Sequence, residues 1–125
     1  MQTFIKSERL SSKTAIDKLF QSGKSFNSTP FKIIWLPSEE NDVPAKILIS
    51  VPKRLFKKAV DRNRLKRLIR EAYRKNKGLL CFNLKNKKIS FIFIFTSKTT
   101  IDYKEMDEKI ISALKRLSSN INTEF

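Results

Sequence analysis

A cluster of positively charged side chains between Lys53 and Lys77 is the part of this sequence best suited to bind a ligand. These 25 residues contain twelve Lys or Arg and two acids, Asp61 and Glu71. Lysine and arginine side chains both bind phosphate oxygens, and the arginine guanidinium can do so through two parallel hydrogen bonds. With a net charge of +15 over 125 residues, the sequence predicts a polyanionic partner, either nucleic acid or an acidic membrane surface.

An apolar stripe in the same segment predicts a helix that begins near Lys58 and ends near Gly78. The stripe has the i, i+3, i+4, i+7 spacing of a core-facing surface and consists of Leu65, Leu68, Ile69, Ala72 and Tyr73. The basic side chains spread over the flank and the opposite side. Arg62, Lys66 and Arg70 repeat at i, i+4, where like charges repel by a few tenths of a kcal/mol. We therefore interpret this surface as one that binds phosphates rather than as a merely solvated one.

The sequence offers little for catalysis by the protein alone. It has no histidine and two glycines, so imidazole acid–base catalysis and a glycine-rich phosphate loop are both excluded. The acids at 102, 105, 107 and 108 suit the first turns of a helix, where they complement its dipole, and we favour that role over a metal site. Without a histidine to activate it, Cys81 is interpreted as a small core residue.

The remaining sequence predicts a single domain, residues 1–125, with a frayed end at Ser118–Phe125. Ser11 or Ser12 caps a first helix that ends near Gly23, strands cover 30–36, 46–51 and 88–95, and Asp102 caps a last helix. The apolar run at 88–95 suits a central strand. The order is α-β-β-α-β-α with room for one more short strand, an α/β (α+β) sandwich with three helices on a sheet of about four strands.

The N-terminal residues Met1–Phe4 open no long apolar stretch, so we predict neither a signal peptide nor a membrane span. A cytoplasmic protein with no membrane contact is the resulting expectation. A single cysteine also excludes an internal disulfide.

Several stretches together resemble the bacterial ribonuclease P protein subunit family. The likeness to the family's RNR signature lies in Arg62-Asn63-Arg64, Lys66-Arg67 and Arg70. Residues 47–54, ILISVPKR, resemble the strand that leads into that helix, and residues 9–20 with Gly23 and Phe31 resemble the family's opening helix and first strand. The resemblance covers nearly the whole chain at the family's usual size.

Two positions depart from the family pattern. Lys57 and Lys58 stand where the family often has Gly-Asn, with about one extra residue in the turn. Ile16 stands where the family often has the first of two phenylalanines four residues apart, so Phe20 is the only aromatic residue of that pair.

The resemblance implies a left-handed β-α-β crossover around the RNR helix, where general rules favour a right-handed one. It implies a protein subunit whose partners are the catalytic RNA of ribonuclease P and precursor tRNA, with no protein partner inferred. The RNA subunit would remove the 5′ leader, using Mg²⁺ held mainly by RNA. No cofactor is assigned to the protein.

The resemblance also assigns two binding surfaces. The residues expected on RNA phosphates are Arg62, Asn63, Arg64, Lys66, Arg67 and Arg70, and an extended basic patch adds Lys53, Arg54, Lys57, Lys58 and Arg74. The second surface is a cleft between the first helix and the sheet for the single-stranded leader. Its candidates are Phe20, as a stacking residue, with Lys13, Ile16, Lys32 and Ile34.

Alternatives remain open for several aromatic residues and for the function. Phe20 and Trp35 could each belong to the core instead of the cleft, whereas Phe91, Phe93 and Phe95 are assigned to the core. Other functions compatible with the charge are a different RNA-binding module such as a ribosomal protein, a DNA-binding protein reading the major groove, and a membrane-surface protein. Preference for structured RNA over duplex DNA or vesicles would separate them.

Overall fold

Three helices and four strands make up the computed structural model, which describes residues 8–39, 41–84 and 87–124. The elements are α1 (Lys13–Ser22), β1 (Lys24–Ser28), β2 (Phe31–Pro37), β3 (Ala45–Ser50), α2 (Ala59–Leu84), β4 (Ile89–Phe95) and α3 (Tyr103–Glu124). This confirms the predicted α+β class, and β1 is the additional short strand. None of the described helices is long and apolar enough to cross a membrane.

The four strands form one mixed sheet in the order β1-β2-β4-β3. β1 and β2 are antiparallel, as are β2 and β4, whereas β3 runs parallel to β4. Six of the seven residues of β4 are buried, which agrees with its predicted interior position. α2 connects the parallel pair, so the β-α-β crossover is present, and its left-handed sense stays a prediction.

The main core lies between one face of the sheet and the two long helices, α2 and α3. Aromatic rings from the sheet fill it: Phe31 lies 5.3 Å from Phe93 between ring centroids, and Phe91 lies 5.9 Å from Tyr73 of α2. Trp35 is 1% exposed and belongs to this core, which resolves its predicted ambiguity. The core also contains the residues assigned to it from sequence, Phe91, Phe93 and Phe95.

A smaller cluster on the other face of the sheet holds α1 in place. Leu19 of α1 packs there with Leu10, Ile34 and Ile92. Ser12 caps the helix by accepting a hydrogen bond from the Ala15 backbone N–H. At the other end, a Cβ added to Gly23 would lie 2.6 Å from Ile34 Cγ2, so only glycine allows the chain to turn this close to β2.

Both long helices extend further than the sequence predicts. α2 continues past Gly78 to Leu84, because Leu80 and Leu84 are buried in the main core and outweigh the ~1 kcal/mol cost of glycine in a helix. α3 continues to Glu124 with Ile121 buried, so the helix includes residues 118–124 of the segment predicted to fray, and the fraying itself stays a prediction. Residues 1–7 and Phe125 of the predicted domain lie outside the described residues.

The connection from β3 to α2 is fastened by Arg62. Its Nη1 donates hydrogen bonds to the carbonyl oxygens of Phe56 and Lys57, at 2.8 and 2.9 Å. Arg62 precedes the buried Ile69 by seven residues, or two helical turns, so its side chain starts from the inward side of α2. Phe56 itself is buried, with its ring centroid 6.0 Å from that of Phe95. The loop is therefore anchored by one ring in the core and one guanidinium.

Replacing Arg62 with alanine should lower the free energy of unfolding by about 1.5–3 kcal/mol, because charge-assisted hydrogen bonds to the loop carbonyls are lost. Arg64→Ala is the matched control, since Arg64 is exposed and its removal should change stability by no more than about 0.5 kcal/mol. Urea denaturation followed by circular dichroism would measure both. Equal stability of the two variants would show that Arg62 does not hold the loop.

Candidate nucleic-acid interface

The basic residues of α2 divide into groups that face different directions. Arg62 lies on the inward side, where it binds the loop carbonyls. Asn63, Arg64 and Arg67 are exposed, whereas Lys66 and Arg70 are half-buried. The predicted RNR surface is therefore an assembly of three small groups rather than one uniform charged face.

The outward group forms a shallow groove along the first turns of α2. Asn63, Arg64 and Arg67 line it together with Val60, and its volume is about 350 Å³. Val60 is 75% exposed, so the groove has an apolar floor beside its two guanidinium groups. Guanidinium forks suit phosphate oxygens, and an apolar floor suits the sugar or base attached to them. This groove can thus contact a nucleic-acid strand along its backbone.

The loop before α2 widens the basic surface. Lys53, Arg54, Lys57 and Lys58 are all exposed there, next to the first turn of the helix. Because Arg62 holds the carbonyls of Phe56 and Lys57, the backbone that carries these cations has a defined position. The extended basic patch predicted from the sequence is therefore continuous along the chain with the outward groove.

Arg74 contributes less to this basic surface than the exposed arginines, because it is paired with an acid on its own helix. Its Nη2 donates to Glu71 Oε1. That hydrogen bond, helped by the positive charges of Arg74 and Lys75, lowers the pKa of the Glu71 carboxyl. The same hydrogen bond, together with the negative charge of Glu71, raises the pKa of Arg74. Surface pairs of this kind contribute little stability, but the carboxylate offsets the charge that Arg74 would offer to a phosphate.

The lysine, isoleucine and phenylalanine predicted on α1 lie along one flank of that helix. Lys13, Ile16 and Phe20 have i, i+3, i+7 spacing, and Ile16 is half-buried against the small cluster. Phe20 is 59% exposed, which excludes its assignment to the core. A ring this accessible can stack on a base.

The two strand residues predicted in the same cleft have different environments. Lys32 is exposed on β2. Ile34 is 7% exposed and packs in the cluster beneath α1. The structure therefore corrects the prediction for Ile34: it supports the helix and offers almost no surface to a ligand. Residues 32 and 34 share a face of the strand, but α1 covers that face at Ile34.

A larger concavity lies on α1's other flank, and the predicted cleft residues do not line it. It has a volume of about 510 Å³ and is lined in part by Lys18, Leu36, Ser38 and Glu39. The loop that borders it is held by Asn41, whose Nδ2 donates to the Ile89 carbonyl oxygen at 2.9 Å. Since Glu39 opposes Lys18, the charge of this concavity does not favour a polyanion.

Cys81 lies near the end of α2 and is half-buried, not a fully buried core residue as the sequence suggested. Burial raises the pKa of its thiol, so at neutral pH the thiol stays protonated and is a poor nucleophile. Among the described residues, no three His, Cys, Asp or Glu side chains group closely enough to hold a metal ion.

Arg9 is the residue that the sequence analysis missed. It was noted only as part of the resemblance, yet it lines a pocket with Lys66 and Arg70 at the outer edge of β3. The only signal in the sequence was its positive charge, because nothing local places residue 9 beside residues 66 and 70.

Comparison with known proteins gives consistent results over most of the chain. The family model described as Ribonuclease P matches residues 4–118. The chain is 37% identical over 119 residues to the ribonuclease P protein component of Porphyromonas gingivalis, covering 93% of this chain and 87% of that protein. It is 31% identical over 121 residues to the ribonuclease P protein component of Thermotoga maritima, covering 93% of this chain and 97% of that protein.

Solved structures agree with the sequence matches. The RNase P protein from Thermotoga maritima superposes with a TM-score of 0.71 at 28% identity, covering 87% of this chain and 96% of that one. The Staphylococcus aureus RNase P protein superposes with a TM-score of 0.73 at 22% identity, covering 88% of this chain and 94% of that one. This second match supports the fold alone. The chain therefore belongs to the ribonuclease P protein family, whose members are protein components of the ribonucleoprotein that processes tRNA 5′ ends.

Proposed function

We propose that this protein binds the catalytic RNA of ribonuclease P and the 5′ leader of precursor tRNA, and so promotes endonucleolytic removal of the leader to give the mature 5′ end. The observation that carries the proposal is the exposed basic face of α2 with its anchored loop. Buried Leu65 and Ile69 on the opposite side of the helix keep that face turned outward. The surface supports recognition of an RNA backbone more than of any base sequence.

The exposed arginines give the protein its affinity for RNA through phosphate contacts. Each contact releases counterions, so binding should weaken steeply as salt rises. Arg64 and Arg67 are three residues apart on α2, both exposed, and share the outward groove. On a rigid helix this spacing suits binding to two phosphates of one RNA strand, or to a sharply bent stretch of RNA backbone. The positions of the two arginines are set before the RNA binds.

The leader is proposed to lie along α1's exposed flank. Phe20 presents an accessible ring there, and Lys13 on the same flank provides a charge for the backbone. Stacking of a base on an aromatic ring contributes about 1–3 kcal/mol whatever the base. This tolerance fits a leader, because the same surface can then accept precursors whose leaders differ in sequence.

The hydrolytic step is assigned to the RNA subunit, and the protein alone is not expected to be catalytic. The chain has no histidine and the described residues contain no cluster of acids suited to metal binding. Mg²⁺ bound by the RNA would supply the activated water and stabilise the leaving oxygen. The protein's residues bind and orient the two RNAs, and we expect the complex to act in the cytoplasm.

Reconstitution tests the proposal directly. Mixed with a bacterial ribonuclease P RNA at low magnesium, the protein should allow cleavage of a precursor tRNA at the mature 5′ end, which neither component gives alone. Gel analysis of a 5′-labelled precursor measures this. If the protein bound the RNA from its own source tightly yet stimulated no cleavage, a general RNA-binding role would replace the proposed one.

Arg67→Ala should weaken binding to the catalytic RNA and flatten the slope of log K against log salt concentration by up to about 0.7–0.9, the share of one phosphate contact. Lys115→Ala on α3 removes the same charge from an exposed position outside the basic surface and should leave the slope unchanged. Filter binding over a range of salt concentrations compares them. The same slope for both variants would remove Arg67 from the RNA interface.

Phe20→Ala should weaken binding of a leader-bearing precursor by about 1–3 kcal/mol while affecting mature tRNA little, because stacking on the leader is lost. Phe82→Ala is the matched control, since Phe82 is 85% exposed on α2, away from α1. Competition binding to the reconstituted complex measures both substrates. Equal losses on precursor and mature tRNA would assign Phe20 another role.

A further inference from the structure

The concavity on α1's other flank, away from Phe20, combines apolar walls with two opposite charges. Its volume is about 510 Å³, and its lining includes Lys18 of α1 and Glu39 of the loop that follows β2. We propose that this concavity binds a single unpaired guanine base, with Glu39 and Lys18 recognising the edge that forms a base pair in a duplex. Where the base belongs to RNA the inference rests on the proposed function; free guanosine would offer the same chemistry.

The apolar part of the lining suits the flat faces of a base. Ala15 and Leu19 contribute from α1, and Leu36 and Pro37 from the end of β2. Leu19 is buried and Leu36 is half-buried, so these walls belong to the packed structure. A base that has left its stack packs its faces against apolar or aromatic side chains. The volume lies within the ~300–1,000 Å³ of pockets that enclose small ligands, so one nucleoside has enough space.

The two charges decide which base fits. A carboxylate accepts hydrogen bonds at two oxygens, whereas an ammonium group only donates them. The base-pairing edge of guanine presents two adjacent N–H donors, at N1 and N2, beside the acceptor O6. Adenine, cytosine and uracil each present a single donor group on that edge. Glu39 can therefore accept from N1 and N2 of guanine while Lys18 donates to O6, which is recognition of an unpaired base by its edge.

Both charges are accessible to a ligand. Lys18 and Glu39 are exposed, and within the described part of the chain neither forms an ion pair or a hydrogen bond. Because their charges have opposite signs, they do not attract a chain of phosphates to this concavity. A ligand here would thus be selected by its base rather than by its backbone, unlike a ligand of the basic surface on α2.

The loop that carries Glu39 is held in place by the buried side chain of Asn41. Its Nδ2 donates to the Ile89 carbonyl oxygen at 2.9 Å and to Ser90 Oγ at 3.3 Å. On the other side of Glu39, the Oγ of Ser38 donates to Asn41 Oδ1 at 3.2 Å. The loop is thereby joined to β4, and α1 is joined to the sheet through its buried leucine. Two walls with fixed positions reduce the entropy lost when a ligand binds.

Titration of guanosine into ¹⁵N-labelled protein tests the concavity without RNA. The amides of Ala15, Lys18, Ser38 and Glu39 should shift together along one saturable curve. Inosine lacks the 2-amino group, so it should bind about tenfold more weakly, as expected for a lost hydrogen bond to a charged group. Adenosine should bind no better than inosine. Equal binding of guanosine and adenosine would overturn the assignment to guanine.

Two variants separate the roles of the charges. Glu39→Gln should weaken guanosine binding about tenfold or more and remove the preference for guanosine over inosine, because the amide accepts at one oxygen only. Lys18→Met should weaken guanosine and inosine by the same factor, since both keep O6. Glu108→Gln, an equal loss of charge at an exposed position of α3, should leave the curve unchanged. Thermal melts establish that the variants fold. An unchanged guanosine preference in Glu39→Gln would contradict the proposed recognition.

Photo-crosslinking in the reconstituted complex identifies the source of the base. Precursor tRNA or catalytic RNA containing 6-thioguanosine is irradiated with the protein, and mass spectrometry locates the crosslinked peptide. A crosslink to residues 36–39 or to Lys18 assigns an RNA base to the concavity. Saturable guanosine binding without such a crosslink assigns a free nucleoside, and neither result together overturns the proposal. Cleavage by the wild-type complex is measured separately, so failure here does not count against the proposed function.

Discussion

The packing of α2 against the sheet is the constraint on which the rest of this structure depends. One helix must supply both the centre of the core and the main binding surface. Leu65, Ile69 and Tyr73 are fully buried on one side, and burial raises the pKa of Tyr73 well above its ordinary value, so the phenol stays neutral. These contacts fix the rotation of the helix about its axis. The basic side chains can therefore occupy only the remaining directions, which makes their arrangement rigid.

The same residue type performs different tasks around this one helix. Arg62 faces inward and binds loop carbonyls, Arg64 and Arg67 face solvent, and Arg70 faces the edge of β3. Distributing the charges in this way reduces the repulsion that a continuous stripe of arginines would create. It also means that a basic run in a sequence is not one functional unit, because each position is decided by what packs beside it.

The two faces of the sheet differ in how much they contribute to stability and to binding. One face carries the large core under α2 and α3, while the other holds only the small cluster under α1. Because α1 is a short helix held mainly through Leu19, much of its surface is left accessible, including Phe20. The exposed ring of Phe20 is accessible for stacking on a base, which is the contact that we propose for the leader.

Local sequence patterns by themselves determined the three helices, the strands β2, β3 and β4, the buried stripe of α2, a cap at Ser11 or Ser12, the Asp102 cap and the basic surface. Each of these depends on residues close together in the chain. The family resemblance that the comparisons confirmed came from the motif around Arg62-Asn63-Arg64 and the stretches that surround it. Only the tertiary structure decided that α2 continues past Gly78, that Ile34 is covered, that Arg62 turns inward and that Arg9 joins Lys66 and Arg70. Those outcomes depend on contacts between residues far apart in the chain, which spacing along a sequence does not encode.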